Sequence, residues 1–241
     1  MEYVAIGIAG FVGGIVCGFA GFAFSAAAGA ILLHFLEPIL AIPLMMVCSI
    51  ASQLTSLVVL RRFVAWREIV PMLIGGTAGV PVALYLLTLI ELHTFRTGFG
   101  VFLIGYASYM LTRPACAVIN NLGGPIFRSA LGFAGGFVGG LTAMPGALPT
   151  IWCDLRGLPK ERQRGVVQPF ILGMQLLALA ILMGTPGAIH LDLLLKDVSL
   201  ALPALAAGTF IGMSLFGRIN ERKFRCSILV LLLISGGLML G

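Results

Sequence analysis

Charged residues are scarce in this chain, and their scarcity excludes a soluble fold. Asp, Glu, Lys and Arg together make up 10% of the 241 residues, whereas a soluble domain carries about 25%. Hydrophobic residues make up 59%, and the mean hydropathy is +1.08. Both values are typical of a polypeptide that lies in a lipid bilayer.

Several signatures of catalysis and cofactor binding are also missing. The five cysteines form no Cys-x-x-Cys pair, so we expect neither a metal centre nor a disulfide framework. The absence of Gly-x-x-x-x-Gly-Lys-Ser/Thr excludes ATP use by this chain. Gly-x-Ser-x-Gly and His-Glu-x-x-His are absent too, which argues against an intramembrane protease. We therefore expect a protein that is not an enzyme and needs no cofactor.

Acidic side chains are missing from the middle of the apolar segments. All nine Asp and Glu residues map to termini or predicted loops, so no obvious proton-relay carboxylate is present. The net charge of +6 does not indicate nucleic-acid binding, because the basic residues lie in short gaps between apolar segments, as membrane orientation requires. The expected partner is the lipid bilayer.

The apolar residues form eight segments, and two of these segments are unusual. The segments are about 3–36, 39–60, 69–90, 94–112, 126–152, 165–185, 198–217 and 226–241. A spanning helix needs about 20 residues, so the first and fifth segments are too long for one helix and too short for two. Small residues or prolines interrupt both, at 17–21 and 142–149. We predict two re-entrant hairpins, whose second half-helices lie near 22–33 and 150–155.

The second half of the chain repeats the first. Phe-Val-Gly-Gly occurs at 11–14 and again at 137–140, 126 residues later. Three further matches follow in the same order: Gln53 with Gln175, Gly76-Thr77 with Gly208-Thr209, and Phe95-Arg96 with Phe224-Arg225. These matches predict a duplicated unit, with a first repeat at 1–113 and a second at 114–241.

The distribution of basic residues predicts the topology. If segments one and five are hairpins, then 13 of the 15 Lys and Arg residues lie on one side, in the loops 61–68, 113–128, 154–164 and 218–225. Eight full crossings would instead divide them six against nine, which contradicts the positive-inside rule. We therefore predict an all-α integral membrane protein of two inverted repeats. Each repeat has one broken hairpin and three transmembrane helices, and both termini lie outside.

Paired broken segments are the best sequence indicator of a transporter's binding site. The hairpins would enter from opposite faces, so the N-termini of their second half-helices would converge and bind an anion through backbone N–H groups and the helix dipole. The candidate substrate-binding residues lie at the breaks, at the starts of these helices and at the matched glutamines. They are Gly18, Gly21, Phe22, Ser25, Gln53, Met144, Pro145, Gly146, Ala147, Thr150 and Gln175.

Two structural interpretations compete with this functional one. Gly10, Gly14 and Gly18 are spaced by four residues, which is also typical of close helix packing. Gln53 and Gln175 could hydrogen-bond across helices and contact no ligand. The sequence leaves both alternatives open.

The order of these features resembles the TauE/SafE sulfite exporter family. The resemblance rests on a glycine-rich helix, a break, a second helix that ends in Gly157-Leu158-Pro159, and the charged run 160–164. The second copy carries it over 132–173 and the first over 10–56. The family's usual Gly-x-Gly-Gly-Gly break is replaced here by Gly-Phe-Ala-Gly at 18–21 and Pro-Gly-Ala at 145–147.

The resemblance implies a permease of the bacterial inner membrane for a small sulfur-containing anion, such as sulfite, thiosulfate or an organosulfonate. Together with the hairpin argument, it predicts a secondary transporter, an exporter, that works by alternating access. A passive anion channel that uses the same helix dipoles is the alternative. The coupling ion (H⁺ or Na⁺) and homo-oligomer formation stay open.

Overall fold

The computed structural model describes residues 2–21, 23–112 and 123–215, together with positions 226, 229, 230, 233, 236 and 237. The described ranges up to residue 215 fold entirely into helices, turns and short connections, without a strand. The helices are α1 (Glu2–Ala20), α2 (Phe24–Phe35), α3 (Pro38–Leu60), α4 (Trp66–Leu87), α5 (Leu92–Thr112), α6 (Pro125–Thr142), α7 (Ala147–Leu155), α8 (Lys160–Gly184) and α9 (Leu191–Leu215), with a short 3₁₀ helix at Arg61–Phe63.

Five of these helices are long and apolar enough to cross a membrane. They are α1, α3, α4, α8 and α9. This composition and the all-helical fold confirm the predicted class, an all-α integral membrane protein. The eighth predicted segment, 226–241, and the boundary between the repeats at 113–114 lie largely or wholly outside the described residues.

Helix breaks are present at both predicted interruptions, and that the helices around them form re-entrant hairpins stays a prediction. The first break separates α1 from α2 after Gly21 (φ 84°), and the second separates α6 from α7 at Ala143 (φ 54°). A residue with positive φ ends a helix because it turns the chain out of the helical path. Helix α7 begins at Ala147, three residues earlier than predicted. It can do so because Pro149 lies in its first turn, where a missing N–H costs nothing.

Prolines set several other helix boundaries. Pro38 and Pro125 are the first residues of α3 and α6, and Pro159 precedes the first residue of α8. The fixed φ of proline suits the start of a helix, and the residue before it is forced out of the helical region. The connections from α2 to α3 and from α7 to α8 are therefore short, and each holds a broken helix pair against the next helix.

The connections gather at two ends of the molecule. At one end Glu68 Oε1 lies 3.2 Å from Arg156 Nη1 and 3.4 Å from Arg162 Nη2. At the other end Glu37, Thr88 and Ala188, from three different connections, line a cavity of about 380 Å³. The ion pairs of Glu68 place the 61–68 and 154–164 loops at the same end of the molecule, as the charge count predicted.

Two helix pairs pack backbone to backbone through glycines. Helix α1 lies along α9, and a Cβ on Gly14 would be 2.7 Å from Leu205 O. Helix α4 lies along α6, and a Cβ on Gly79 would meet the Phe133 carbonyl oxygen. The two pairs are equivalent under the predicted duplication, because α1 corresponds to α6 and α9 to α4. That the second repeat is inverted across a bilayer stays a prediction.

Candidate functional site

The two helix breaks lie against each other in the interior of the protein. Ser25, in the first turn of α2, donates a hydrogen bond from Oγ to the Ala143 carbonyl oxygen at 2.5 Å. The Ser25 side chain is 1% exposed, and Ala143 is also 1% exposed. The structure thus brings together the two breaks that the sequence placed 118 residues apart.

The two matched glutamines make equivalent contacts. Gln53 Nε2, on α3, donates to Gly21 O at 3.2 Å, and Gln175 Nε2, on α8, donates to Ala143 O at 3.1 Å. In both halves the glutamine therefore binds the carbonyl of the residue with positive φ, which is the carbonyl that the interrupted helix leaves without its usual partner. Both side chains are buried.

A third glutamine, Gln168 on α8, joins the first break. Its Nε2 donates to Gly21 O at 3.3 Å, so two amides share one carbonyl oxygen. The first repeat has no glutamine that matches Gln168, because Met46 is at the corresponding position. The symmetry argument that identified Gln53 and Gln175 could not find it.

Arg164 is the residue that sequence reasoning missed most clearly. It was assigned to a charged loop, yet α8 begins at Lys160 and carries Arg164 into the interior, where it is 7% exposed. Its Nη2 donates to Gly18 O at 3.1 Å and also to Phe19 O. The cation therefore lies at the C-terminus of α1, where the helix dipole is negative.

The sequence spacing of Arg164 and Gln168 indicates that their side chains lie near each other. They are four residues apart on α8, and side chains at that spacing lie on one face of a helix. A Cβ built on Gly21 would lie 2.9 Å from Arg164 Nε and 3.0 Å from Gln168 Nε2. Gly21 is thus required by its backbone conformation and by the two side chains that pack over it.

The other predicted site residues are buried, but several face neighbouring helices. Gly18 packs against α9, where a Cβ would lie 2.5 Å from Thr209 O. The packing interpretation therefore accounts for Gly18 as well as for Gly10 and Gly14. A Cβ on Gly146 would lie 2.6 Å from Ile171 Cδ1, so that direction is already filled by α8.

The remaining candidates line or flank the second break. Met144, Ala147 and Thr150 are at most 1% exposed, and Pro145 is buried against Gly139 of α6. Phe22 lies outside the described residues.

Neither α2 nor α7 has an N-terminal side-chain cap among the described residues. In α7 some of the predicted backbone donors are already used, because Ala147 N bonds to Met144 O at 3.4 Å and Thr150 N to Gly146 O at 3.0 Å. In place of caps, the breaks are surrounded by three amides, a hydroxyl and a guanidinium. Within the described part of the chain, no group of three His, Cys, Asp or Glu side chains could hold a metal ion.

The comparison with known families agrees with the resemblance noted from the motifs. The profile of the family described as "Sulfite exporter TauE/SafE" matches residues 6–239, nearly the whole chain and both breaks. No curated protein and no solved structure gives a significant match. The match confirms the resemblance, and the chain therefore belongs to the sulfite exporter TauE/SafE family of membrane anion permeases.

Proposed function

We propose that this protein is a secondary transporter that exports a small sulfur-containing anion, such as sulfite, thiosulfate or an organosulfonate. The observation that carries the proposal is the meeting of two helix breaks in the protein interior, joined by the Ser25–Ala143 hydrogen bond. In a membrane protein, irregular backbone is tolerated only where protein or a cavity shields it, and such sites bind substrate.

The anion would lie between the first turns of α2 and α7. The N-terminus of a helix carries about half a positive charge and several N–H groups without helical partners. Arg164 adds a guanidinium beside the first break. The burial of Gln53, Thr150 and Gln175 lowers the local dielectric, which strengthens these attractions.

The packing of the long helices supports an alternating-access mechanism. The α1–α9 and α4–α6 pairs are each held by close glycine contacts, so each pair can rock as a rigid unit around a fixed site. At one end of the molecule Glu68 is joined to Arg156 and Arg162. These ion pairs link the two halves and would have to separate when that end opens.

The proposed location is the inner membrane, with both termini outside and the 61–68 and 154–164 loops in the cytoplasm. A reporter that is active only in the cytoplasm, fused after residue 241, should give no signal. The same reporter inserted between Gly157 and Leu158 should be active. A strong cytoplasmic signal from the C-terminal fusion would rule out the hairpin topology.

Transport itself can be measured in proteoliposomes that contain the purified full chain. We expect uptake of ³⁵S-sulfite that saturates with concentration and accumulates against its gradient when an ion gradient or potential is imposed. A passive channel would give a flux that stops at equilibrium and never runs uphill. Absence of any flux across a panel of sulfite, thiosulfate, taurine and sulfate would contradict the proposal.

A further inference from the structure

The three glutamines around the breaks have buried oxygen atoms without hydrogen-bond partners. These atoms are Oε1 of Gln53, Gln168 and Gln175, and the hydroxyl oxygen of Thr150 is also unpartnered in the described structure. All four side chains are at most 1% exposed. Buried polar atoms are nearly always hydrogen-bonded, so a cluster of exceptions indicates a missing partner.

The identity of these atoms as oxygens follows from the contacts of their amides. Each Nε2 group faces a carbonyl oxygen at 3.1–3.3 Å, and only the donor side of an amide can do so. The amide oxygen is about 2.3 Å from its nitrogen, so each Oε1 lies within about 5.6 Å of a break carbonyl oxygen. The orphaned acceptors therefore surround the same two breaks.

An aprotic anion does not satisfy these oxygens, because both partners would be hydrogen-bond acceptors. A metal cation would suit amide oxygens. However, Arg164 Nε and Gln168 Nε2 lie within 3.0 Å of one point, the Cβ position of Gly21, and the guanidinium repels a cation there. At the first break, the ligand that suits both the guanidinium and these oxygens is an anion that also carries a hydrogen-bond donor.

We propose that the site selects sulfur oxyanions that carry an O–H or N–H hydrogen-bond donor, and that sulfite is therefore bound as hydrogensulfite. This inference rests on the proposed function and narrows its substrate class. The anionic oxygens would face Arg164 and the helix N-termini, and the donor would face the amide oxygens of the glutamines. The proton then travels on the substrate, and no carboxylate in the membrane core is needed to carry it.

The test uses the purified full chain and ligands that differ only in the donor. At neutral pH we expect 2-hydroxyethanesulfonate to bind at least about 10-fold more tightly than 1-propanesulfonate, since one hydrogen bond is at stake. Sulfite should bind about 10-fold more weakly at pH 8.5 than at pH 6, as its proton is lost, while thiosulfate, which has no proton at either pH, should change little. Equal affinities within the sulfonate pair and a sulfite affinity that does not change with pH would overturn the inference.

A substitution of Gln175 tests whether this glutamine causes the preference for ligands with a donor. Gln175→Met removes one acceptor and should reduce the preference for the hydroxyl-bearing sulfonate, whereas the control Gln163→Met, on the same helix but bonded to Asp154, should keep it. If Gln175→Met does not fold, the sulfonate pair and the pH dependence of sulfite binding still test the inference on the unmodified chain. Tight binding of thiosulfate and propanesulfonate would overturn this inference and leave the proposed function standing, whereas no binding of any sulfur anion would contradict both.

Discussion

The two helix breaks occupy equivalent positions in the predicted duplication, but they are stabilised differently. At the first, Gly21 O accepts hydrogen bonds from Gln53 and Gln168, and Arg164 covers the end of α1. At the second, Ala143 O accepts from Gln175 and from Ser25 of the other hairpin. One contact is shared, namely a glutamine on the carbonyl of the residue with positive φ. The others are particular to each break.

The two breaks therefore have one supporting contact in common and differ in the others. The shared pairing of glutamine and break carbonyl keeps both helix ends in place. The added contacts place a guanidinium at the first break, whereas at the second break Pro145 packs against Gly139. Four sets of substitutions can test or refine this contrast.

The largest effect is expected from Arg164→Met. The substitution removes the hydrogen bonds that hold the end of α1, to Gly18 O and Phe19 O, and also the proposed attraction between the guanidinium and the anion. The second loss alone costs about 1.5–3 kcal/mol, so sulfite transport should fall at least about 100-fold. Arg67→Met is the matched control, because Arg67 is an exposed arginine in the first turn of α4. Similar losses in both variants would show that Arg164 has no special role at the first break.

Gln175→Ala and Gln53→Ala compare the shared contact in the two halves. Loss of one hydrogen bond at a charged ligand costs about 1.5–3 kcal/mol, or roughly 10- to 150-fold in affinity. We expect both variants to assemble and to bind sulfite more weakly within that range. If only one of the two weakens binding, the site belongs to a single break. Monodispersity in size-exclusion chromatography checks assembly.

Gly146→Val tests the packing of the second break. A Cβ at this position would lie 2.6 Å from Ile171 Cδ1, so the substitution should destabilise the protein by about 1–3 kcal/mol through overpacking. The double variant with Ile171→Ala should recover part of that loss. If stability is unchanged but binding is abolished, then the valine occupies ligand space, and the packing explanation is wrong.

Gly21→Ala and Ala143→Gly should have opposite consequences for stability. The alanine at position 21 must adopt a φ near 84° and contact Arg164 Nε at 2.9 Å, which costs at least about 1–2 kcal/mol. The glycine at position 143 relieves a left-handed alanine and should leave the melting temperature unchanged or slightly higher. A lower melting temperature for Ala143→Gly would show that the left-handed conformation of Ala143 carries no strain that glycine relieves.

Much of this architecture follows from the sequence because its causes are local. Apolar length predicted α3, α4, α8 and α9 as membrane helices, and small residues with prolines predicted the breaks at Gly21 and Ala143–Gly146. The internal repeat identified Gln53 and Gln175 as a pair, and the family profile supports the overall assignment. The apolar segments and the breaks are visible within short windows of the chain, and the repeat is visible when two such windows are compared.

The tertiary contacts of Arg164 and Ser25 show why the rest was not predictable. Arg164 follows a run of charged residues, and its burial depends on α1 ending next to α8, which is a tertiary contact. Ser25 binds a carbonyl 118 residues away, and small hydroxyls in membrane helices usually bond to their own preceding turn. Likewise Gly18 and Gly146 could be assigned to packing only after the neighbouring helices were in place.

The central claim is that both breaks form one anion site. Isothermal titration of the purified protein with sulfite near pH 6 should give a single binding event per chain, and both Ser25→Ala and Gln53→Ala should weaken that same event by about 10-fold or more. Two independent binding events, or a single one whose affinity is unchanged by a substitution at either break, would contradict the account.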